Sequence, residues 1–586
     1  MIAKNLRELL PEFTSDRTFL SALVVCSGAS LVALRWLKQR NIHWKTEEAK
    51  KRRELGLQEM EKAVQRFKKE NPLAQSNTIL PLSLVELAGK LQDGSLSPES
   101  VLYAYMGKAL EVNKEVNCLT DFLQECESQV QELKSKTEKG PLYGIPFSIK
   151  QAIPCKGYDS CCGILNQGVL DQEDNVTIQV LKKQGAVPFV KTNISQTLIC
   201  YDCSNPVHGQ TLNPLNHKRS PGGSSGGEGA LISAGGSIIG LGSDTGGSVR
   251  FPSSFCGICA LRPTAHRLSV LGMREPIDGQ TEVPTVIGPM ARDVDSLVLC
   301  MRALLCDEMF RLDPTVPPIP FNEEVFSRLT PLRIGYYDTN SHFPSTPSMR
   351  RVVHETKMIL EEAGHTLIPF TPPELDWNPF ELFTRLFFAD GGSAFLEKFK
   401  GNFVDPHLQD AVNTCKIPFF IKKTMATLLK PWSPRVASSL NSMCEARSVK
   451  DLWAHQKIRQ DYCQTFIAEW RRLNLDVVLG PMLGPAFNIG YPGKLLVAVC
   501  PTVQYSILNF PVGVVPVSTV TQEDERQLKD YTQYNNDKFE KLMNKALEGG
   551  VGLPLSVQCV ALPWQEELCL RFMKEVETLT AAKKRS

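Results

Sequence analysis

Two serines and one lysine stand in segments whose composition suits nucleophilic chemistry. Ser248 ends the run Gly-Ser-Asp-Thr-Gly-Gly-Ser, which starts at residue 242, and Ser224 lies in an earlier run, Gly-Gly-Ser-Ser-Gly-Gly. Lys150 follows the apolar stretch 145–149. A serine hydroxyl is a weak nucleophile until a base takes its proton, and a neutral lysine can be that base. These residues could therefore attack a carbonyl carbon, relay a proton and receive it.

Residues 220–250 also admit other interpretations. A flexible linker would share the glycine and serine content, but this stretch carries apolar helix-like and strand-like pieces. A phosphate-binding loop needs a Gly-Lys-Ser/Thr ending, which is missing, and the Asp-Thr-Gly tripeptide of aspartic proteases occurs once where two are needed. Gly-Gly-Ser-Ser-Gly at 222–226 fits a nucleophile elbow, but a loop precedes it and His455 is the last histidine.

Taken together, the three segments resemble the core of the amidase signature family. That family combines Gly-Gly-Ser-Ser-Gly-Gly and Asp-x-Gly-Gly-Ser-x-Arg with an upstream lysine, and this chain carries them at 222–227, 244–250 and 150. The resemblance implies that Ser248 attacks an amide carbonyl, Ser224 bridges and Lys150 is the final base. It therefore implies a serine amidase that needs no metal and no cofactor.

The resemblance also assigns supporting roles. The oxyanion hole is expected from the backbone N–H groups of Thr245, Gly246, Gly247 and Ser248, with Leu198 near the reacting carbonyl. Three neighbours, Ser225, Asp244 and Arg250, are expected to hold the loop rather than to react. Lys150 must be neutral to act, which costs about 4–5 kcal/mol at pH 7 for a lysine of ordinary pKa. We therefore expect Lys150 to be buried.

Further segments narrow the resemblance to family members that hydrolyse fatty acid amides. They stand at 201–206, 220–229, 311–318 and 562–572. The resemblance implies cleavage of N-acylethanolamines such as anandamide, and of primary amides such as oleamide, to a fatty acid and an amine or ammonia. The expected acyl channel contains Ile199, Phe388, Ser439, Met443 and Phe539, with Ile199 and Ser439 standing where phenylalanines are expected. The alternative is a general short-chain or glutamine-type amidase of the same family.

A large α/β fold is needed to position these residues. Short apolar runs at 145–149, 186–190, 238–241, 332–336, 477–479 and 510–515 alternate with helical stretches. This pattern predicts a mixed, largely parallel, twisted β-sheet covered by helices on both faces, the fold that the resemblance also implies. The predicted catalytic domain spans 81–578, after a charged helical connector at 38–80 and before a basic tail at 579–586.

A basic amphipathic segment at 408–435 is predicted to form a membrane-facing cap. Its apolar residues at helical spacing are Ile417, Ile421, Met425, Leu428 and Leu429, and its lysines, Lys416, Lys422, Lys423 and Lys430, fall largely elsewhere. Such a segment can lie in a membrane interface, and an ordinary core helix with a solvated lysine face has the same pattern.

Near the N-terminus, an uncharged run extends from Thr18 to Leu34. As a helix it would be about 26 Å long, close to the roughly 27 Å hydrocarbon core of the endoplasmic reticulum membrane. We expect a short tail at 1–17 and a single transmembrane helix at 18–37. Basic residues follow the run, which disfavours a cleaved signal peptide and places the catalytic domain on the cytosolic side of an endoplasmic reticulum or Golgi-type membrane.

Composition limits the partners. A net charge of +2 creates no field that would recruit nucleic acid. The chain has 18 cysteines, and its two Cys-x-x-Cys pairs, at 200/203 and 256/259, are too far apart for a zinc ribbon, so reduced, buried thiols are expected. The expected partners are a lipid amide substrate and membrane lipids, with no metal and no nucleic acid, and we expect a homodimer.

Overall fold

The computed structural model describes residues 16–585 except 73–75, 137, 166–169, 341, 374–377 and 534–536; the side chains of residues 16–25 and 31 are also outside the description. Its strands are β1 (Leu119–Phe122), β2 (Pro146–Lys150), β3 (Val187–Thr192), β4 (Ser204–Asn205), β5 (Gly209–Gln210), β6 (Ile239–Asp244), β7 (Cys259–Arg262), β8 (Val286–Ala291), β9 (Arg333–Tyr336), β10 (Thr366–Pro369), β11 (Val477–Pro481), β12 (Val512–Thr519) and β13 (Pro554–Val560). All except β4 and β5 form one sheet of 11 strands.

The described residues form these α-helices: α1 (Asp16–Glu70), α2 (Ser76–Ile79), α3 (Leu84–Gln92), α4 (Pro98–Val116), α5 (Cys126–Lys134), α6 (Val176–Lys183), α7 (Gly226–Ser233), α8 (Arg250–Cys256), α9 (Val294–Leu304), α10 (Asp307–Leu312), α11 (Glu323–Ser327), α12 (Pro347–Glu362), α13 (Pro379–Phe387), α14 (Ser393–Lys398), α15 (Gln409–Lys416), α16 (Phe419–Leu429), α17 (Pro434–Ser442), α18 (Val449–Arg472), α19 (Tyr491–Lys494), α20 (Cys500–Leu508), α21 (Gln522–Lys529), α22 (Lys538–Leu547) and α23 (Glu566–Arg585). Short 3₁₀ turns add Gln196–Leu198, Pro406–Leu408 and Leu496–Val499.

The large sheet has the strand order β1-β3-β2-β6-β8-β7-β12-β13-β11-β9-β10. Parallel pairing joins β3 to β2, β2 to β6, β11 to β9 and β9 to β10, whereas the other pairs are antiparallel. The expectation of a mixed sheet is confirmed, but the expectation that it is largely parallel is wrong. Strand direction depends on how distant segments return to the sheet, and apolar runs do not reveal that path.

Helices cover both faces of the sheet at its centre. Side chains alternate across a strand, so Phe147 and Ile149 face away from Ser148 and Lys150. Phe147 shares a small apolar cavity with Leu181 of α6 and with Cys300 of α9. The opposite face carries α7, because Ser148 hydrogen-bonds to a side chain of that helix. The sheet therefore aims Lys150 at the start of α7.

Each of the six predicted apolar runs overlaps a strand, and five strands of the large sheet lie outside them: β1, β7, β8, β10 and β13. The missed strand β13 begins with Pro554 and carries the polar residues Ser556 and Gln558, both buried. Gln558 Nε2 donates to Pro481 O at 2.8 Å, which satisfies the amide inside the core. A buried strand with internal polar partners lacks the continuous apolar run that sequence reasoning looks for.

Residues 16–70 form one long helix, α1, whose second half packs on the catalytic body. Arg53 Nε donates to Leu119 O at 2.7 Å, and Met60, Ala63 and Val64 are buried. The predicted connector is therefore partly a packed element of the core. No helix in the described part of the chain is long and apolar enough to cross a membrane, and the side chains of residues 18–25 lie outside that part. The predicted transmembrane helix is thus unconfirmed.

Candidate active site

Lys150 ends β2 and is completely buried. Its Nζ donates to Ser224 Oγ at 2.7 Å and to Ser243 O at 3.1 Å. Ser224 is also buried and immediately precedes the turn into α7. Two residues that are far apart in the sequence are therefore held at hydrogen-bond distance by a strand end and a helix start.

Burial lowers the pKa of Lys150 from 10.5 to about 7. The negative charge of Asp244 opposes this shift most strongly, and smaller opposing contributions come from Cys162, Cys203 and Glu228. Desolvation dominates because no carboxylate forms a salt bridge with Lys150 within the described residues. A large fraction of Lys150 is thus neutral near pH 7 and can accept a proton from Ser224.

Ser248 lies in the turn between β6 and α8 and is half-buried. Its carbonyl oxygen accepts a hydrogen bond from Ser225 N–H at 3.2 Å, which links the two serine-bearing segments. Both serines lie in the described part of the chain, and their Oγ atoms do not hydrogen-bond to each other there. Catalytic hydrogen bonds often tighten only when substrate is bound, so this geometry is compatible with a relay through Ser224.

Asp244 holds the turn that carries Ser248. Its buried carboxylate accepts hydrogen bonds from Gly247 N–H at 2.7 Å, from Val249 N–H at 3.1 Å and from Arg250 Nε and Nη2, each at 3.0 Å. Burial alone would raise the pKa of Asp244, but the Arg250 and Arg262 guanidinium groups and these hydrogen bonds lower it to about 2. Asp244 is therefore a permanent anion that organises the loop.

One of the four expected oxyanion-hole donors, Gly247 N–H, has a hydrogen-bond partner within the protein. Gly247 N–H donates to the Asp244 carboxylate at 2.7 Å, and the oxyanion hole of Thr245, Gly246, Gly247 and Ser248 stays a prediction. Gly247 has φ +134°, and a Cβ there would lie 2.3 Å from the Phe251 ring. Glycine at 247 is therefore required by backbone conformation and by close packing.

An apolar cavity of about 320 Å³ opens at Ser248. Its lining includes the predicted residues Leu198, Ile199, Phe388, Ser439 and Met443, together with Thr245 and Gly246. Phe539, also predicted, is not among the lining residues; it packs in the core, with the Arg435 guanidinium 5.6 Å from its ring centroid. Helix α22 presents Lys538 to the cavity instead, because adjacent residues on a helix point in different directions.

Comparisons with known proteins agree with this geometry. The protein-family model described as Amidase matches residues 100–570. The chain is 51% identical over 561 residues to fatty-acid amide hydrolase 1 of Sus scrofa, with 96% of each chain covered. The chain belongs to the amidase signature family. This amidase is also 56% identical over 454 residues to the vitamin D3 hydroxylase-associated protein of Gallus gallus, covering 77% of this chain and 98% of that one.

A solved structure of fatty acid amide hydrolase has a TM-score of 0.77 and 26% identity with this amidase. The alignment covers 93% of this chain and 96% of that chain. The family match and the shared fold confirm two expectations from the sequence, namely an amide hydrolase and a large mixed sheet covered by helices on both faces.

The amidase cavity also has walls that sequence reasoning missed. Phe380, Phe383 and Phe387 of α13 line it, and Phe383 stacks on Phe387 with ring centroids 5.3 Å apart. Val503 of α20 lies on the same wall. A signal for the α13 wall was present, since these phenylalanines recur at helical spacing. The sequence did not show that this apolar face lines the cavity.

The predicted cap segment forms α15, α16 and the start of α17. Its exposed apolar side chains are Phe420 (73% exposed), Ile421, Met425, Leu428 and Trp432 (78% exposed). Lys422 does not join a solvated lysine face, because it is buried and its Nζ donates to Met443 O at 2.7 Å. Lys422 therefore ties the cap to α17, which carries cavity residues.

Proposed function

We propose that this amidase hydrolyses fatty acid amides, both N-acylethanolamines and primary amides, to a free fatty acid and an amine or ammonia. The observation that carries the proposal is the apolar cavity that starts at Ser248 and is walled by the phenylalanines of α13. Apolar walls with a few polar groups at one end suit a ligand with a hydrocarbon chain and one polar head. The 51% identity to porcine fatty-acid amide hydrolase 1 supports the same substrate class.

The proposed mechanism uses Ser248 as the nucleophile and Lys150 as the base. Neutral Lys150 takes a proton from Ser224 as Ser224 takes one from Ser248, whose Oγ attacks the amide carbonyl carbon. The 2.7 Å hydrogen bond from Lys150 to Ser224 supports the first link. Donation from the backbone N–H groups of the predicted oxyanion hole, residues 245–248, would stabilise the developing oxyanion.

Breakdown of the tetrahedral intermediate requires a proton on the leaving nitrogen. The same relay, run in reverse, delivers the proton from Lys150 through Ser224 to that nitrogen as the C–N bond breaks. Water then attacks the acyl-Ser248 ester and gives up a proton to Lys150 through Ser224. That proton returns through Ser224 to Ser248 Oγ as the ester C–O bond breaks, and the fatty acid leaves. Because the hydroxyl of Ser224 both donates and accepts, one residue serves both directions.

A membrane location is part of the proposal. Two features support it: the exposed apolar side chains of α16 and Trp432, and the uncharged run from Thr18 to Leu34. Helix α16 lies in the chain between α15 and α17, which both line the cavity, and exposed apolar side chains on such a helix suit docking on lipid. We therefore place this enzyme on an endoplasmic reticulum or Golgi-type membrane with a single N-terminal anchor and a cytosolic catalytic domain.

Purified wild type and Ser248→Ala should be compared on oleamide, on an N-acylethanolamine and on a short aryl amide. We expect wild type to prefer the two lipid amides, and Ser248→Ala to lose turnover and fluorophosphonate labelling together. Ser128→Ala is a matched control, since Ser128 is exposed on α5 and does not line the cavity. A preference for the short amide would contradict the lipid proposal, and normal activity in Ser248→Ala would contradict the assignment of the nucleophile.

A further inference from the structure

Glu228 is a buried carboxylate that the mechanism above does not use. It lies in the first turn of α7, four residues after Ser224, and is fully buried. Its Oε2 accepts from Ser148 Oγ at 2.5 Å and its Oε1 accepts from Thr192 Oγ1 at 2.7 Å. No lysine, arginine or histidine forms a salt bridge with it among the described residues. Burying a carboxylate whose only hydrogen-bond partners are hydroxyl groups costs folding free energy, so its presence calls for a physical explanation.

Glu228 and Ser224 are held by the same strand. Ser148 and Lys150 are two residues apart on β2, so their side chains share one face of the sheet. Lys150 bonds to Ser224, and Ser148 bonds to Glu228 one helical turn further along. Two parallel side-chain links therefore fasten α7 and its preceding turn to β2, and the second of them limits how far Ser224 can move from Lys150.

The sheet leaves space for this carboxylate. Gly240 of β6 lies opposite Ser148 in the parallel register of β2 and β6. A Cβ at Gly240 would lie 1.8 Å from Glu228 Oε2 and 2.7 Å from Ser148 Oγ. Thr192, which binds the other oxygen, ends the neighbouring strand β3. Three adjacent strands thus supply one recess and two hydroxyl donors for a single side chain.

We propose that Glu228 is a positioning residue that fixes Ser224 against Lys150, and that its charge biases Lys150 toward the ammonium form. An anion near a lysine stabilises the charged amine, which cannot accept a proton. Loss of the Glu228 charge would therefore favour the neutral amine that starts catalysis. The proposal rests on the proposed amidase function, because it assigns a role to the same Ser248–Ser224–Lys150 site.

Among the ionisable groups that act on Lys150, Glu228 is the one whose charge can change near pH 7. Lys150 is influenced by Asp244, Cys162, Cys203 and Glu228, and Glu228 by Lys150 and Cys118. Asp244 is held ionised by its arginines, and burial raises the pKa of Cys162 to about 11 and that of Cys203 to about 12, so these groups keep their charge state near neutrality. Burial raises the pKa of Glu228 to about 7, opposed by the Ser148 and Thr192 hydrogen bonds and by Lys150.

Glu228→Gln tests the proposal, because the amide keeps the size of the side chain and can bond both hydroxyls once they reorient. The rate of fluorophosphonate labelling of Ser248 and kcat/KM for oleamide should be measured against pH. Activity requires neutral Lys150, so it falls on the acid side. We expect the acid limb of both profiles to move to lower pH in Glu228→Gln by less than about one unit, because Glu228 is the weakest of the four groups that raise the pKa of Lys150.

Thr192→Val is a second variant, in case Glu228→Gln does not fold. It removes one hydrogen bond to the carboxylate, which should raise the pKa of Glu228, reduce its charge and move the acid limb in the same direction by less. Ser237→Ala is the matched control, since Ser237 touches Ser148 Oγ at 3.0 Å but not the carboxylate. Its acid limb should match that of wild type.

The outcomes separate this proposal from the lipid amidase function. An unmoved acid limb in folded Glu228→Gln or Thr192→Val, or an equal shift in Ser237→Ala, would overturn the role of Glu228 while wild-type hydrolysis of oleamide stands. If wild type labels with fluorophosphonate but does not cleave oleamide, the lipid proposal fails, and the labelling profiles alone still decide the role of Glu228.

Discussion

Replacing Lys150 with methionine should inactivate the enzyme and yet make it more stable at neutral pH. Lys150 is fully buried, and burial lowers its pKa to about 7 from an ordinary value of 10.5. Each unit of pKa difference between folded and unfolded states corresponds to about 1.4 kcal/mol. Proton binding therefore favours the unfolded chain by about 4–5 kcal/mol at pH 7 and below.

The sign of this effect sets its pH dependence. The folded protein binds fewer protons than the unfolded chain between pH 7 and 10.5. The penalty is therefore fully present below pH 7, declines as the pH rises and is gone above 10.5. Lys150→Met removes the penalty, but it also removes the donor to Ser224 Oγ and one of the donors to Ser243 O, which keeps Ser225 Oγ at 3.4 Å. This loss costs about 1–2 kcal/mol. We expect a net gain of about 3 kcal/mol at pH 7 and a net loss above pH 10.5.

The assay is unfolding in detergent micelles, followed by tryptophan fluorescence, at pH 7 and at a pH above 10.5. Lys62→Met is the control, because the Lys62 side chain is 68% exposed on α1 and its replacement should change the stability little at either pH. Amide hydrolysis by Lys150→Met should be lost at both pH values. A stability gain that does not shrink with pH, or a loss at pH 7, would refute the idea that the fold holds Lys150 neutral.

Three further perturbations test the loop, the cap and the cavity. Asp244→Asn leaves the buried Arg250 guanidinium without its carboxylate and should lower the free energy of unfolding by about 3–5 kcal/mol, measured in urea. The Asp244 pKa of about 2, against 3.8 ordinarily, corresponds to about 2–3 kcal/mol, so that part of the wild-type advantage should be present above pH 3.8 and be lost as the pH falls through 2. Trp432→Ser should weaken binding to phospholipid vesicles about tenfold, whereas Leu329→Ser should not, since Leu329 is 92% exposed but lies outside the cap. Equal binding by Trp432→Ser and wild type would show that the cap does not contact the membrane. Ser439→Phe should fill part of the cavity and raise KM for long acyl amides more than for short ones. An equal rise in KM for long and short amides would show that Ser439 does not line the acyl channel.

The sequence determined the chemical segments and most of the central strands. Gly247 illustrates why. Its φ is +134° and a Cβ there would collide with the Phe251 ring, so the local backbone requires glycine, and the motif contains it. The apolar run before Lys150 likewise predicted both a strand and a buried lysine, because such a run is stable only inside a sheet. Family membership followed from these local patterns and is confirmed by the family match.

Only the tertiary structure decided which distant groups meet. The strand directions, the phenylalanine wall of α13, the burial of Lys422 and the exclusion of Phe539 from the cavity all depend on packing partners far away in the sequence. The Glu228 recess is the clearest example, since it needs hydroxyls from β2 and β3 and a missing side chain on β6. A pKa is set by what surrounds a group in space, so the sequence determined that a lysine and two serines are present, and the fold decided that the lysine can be neutral.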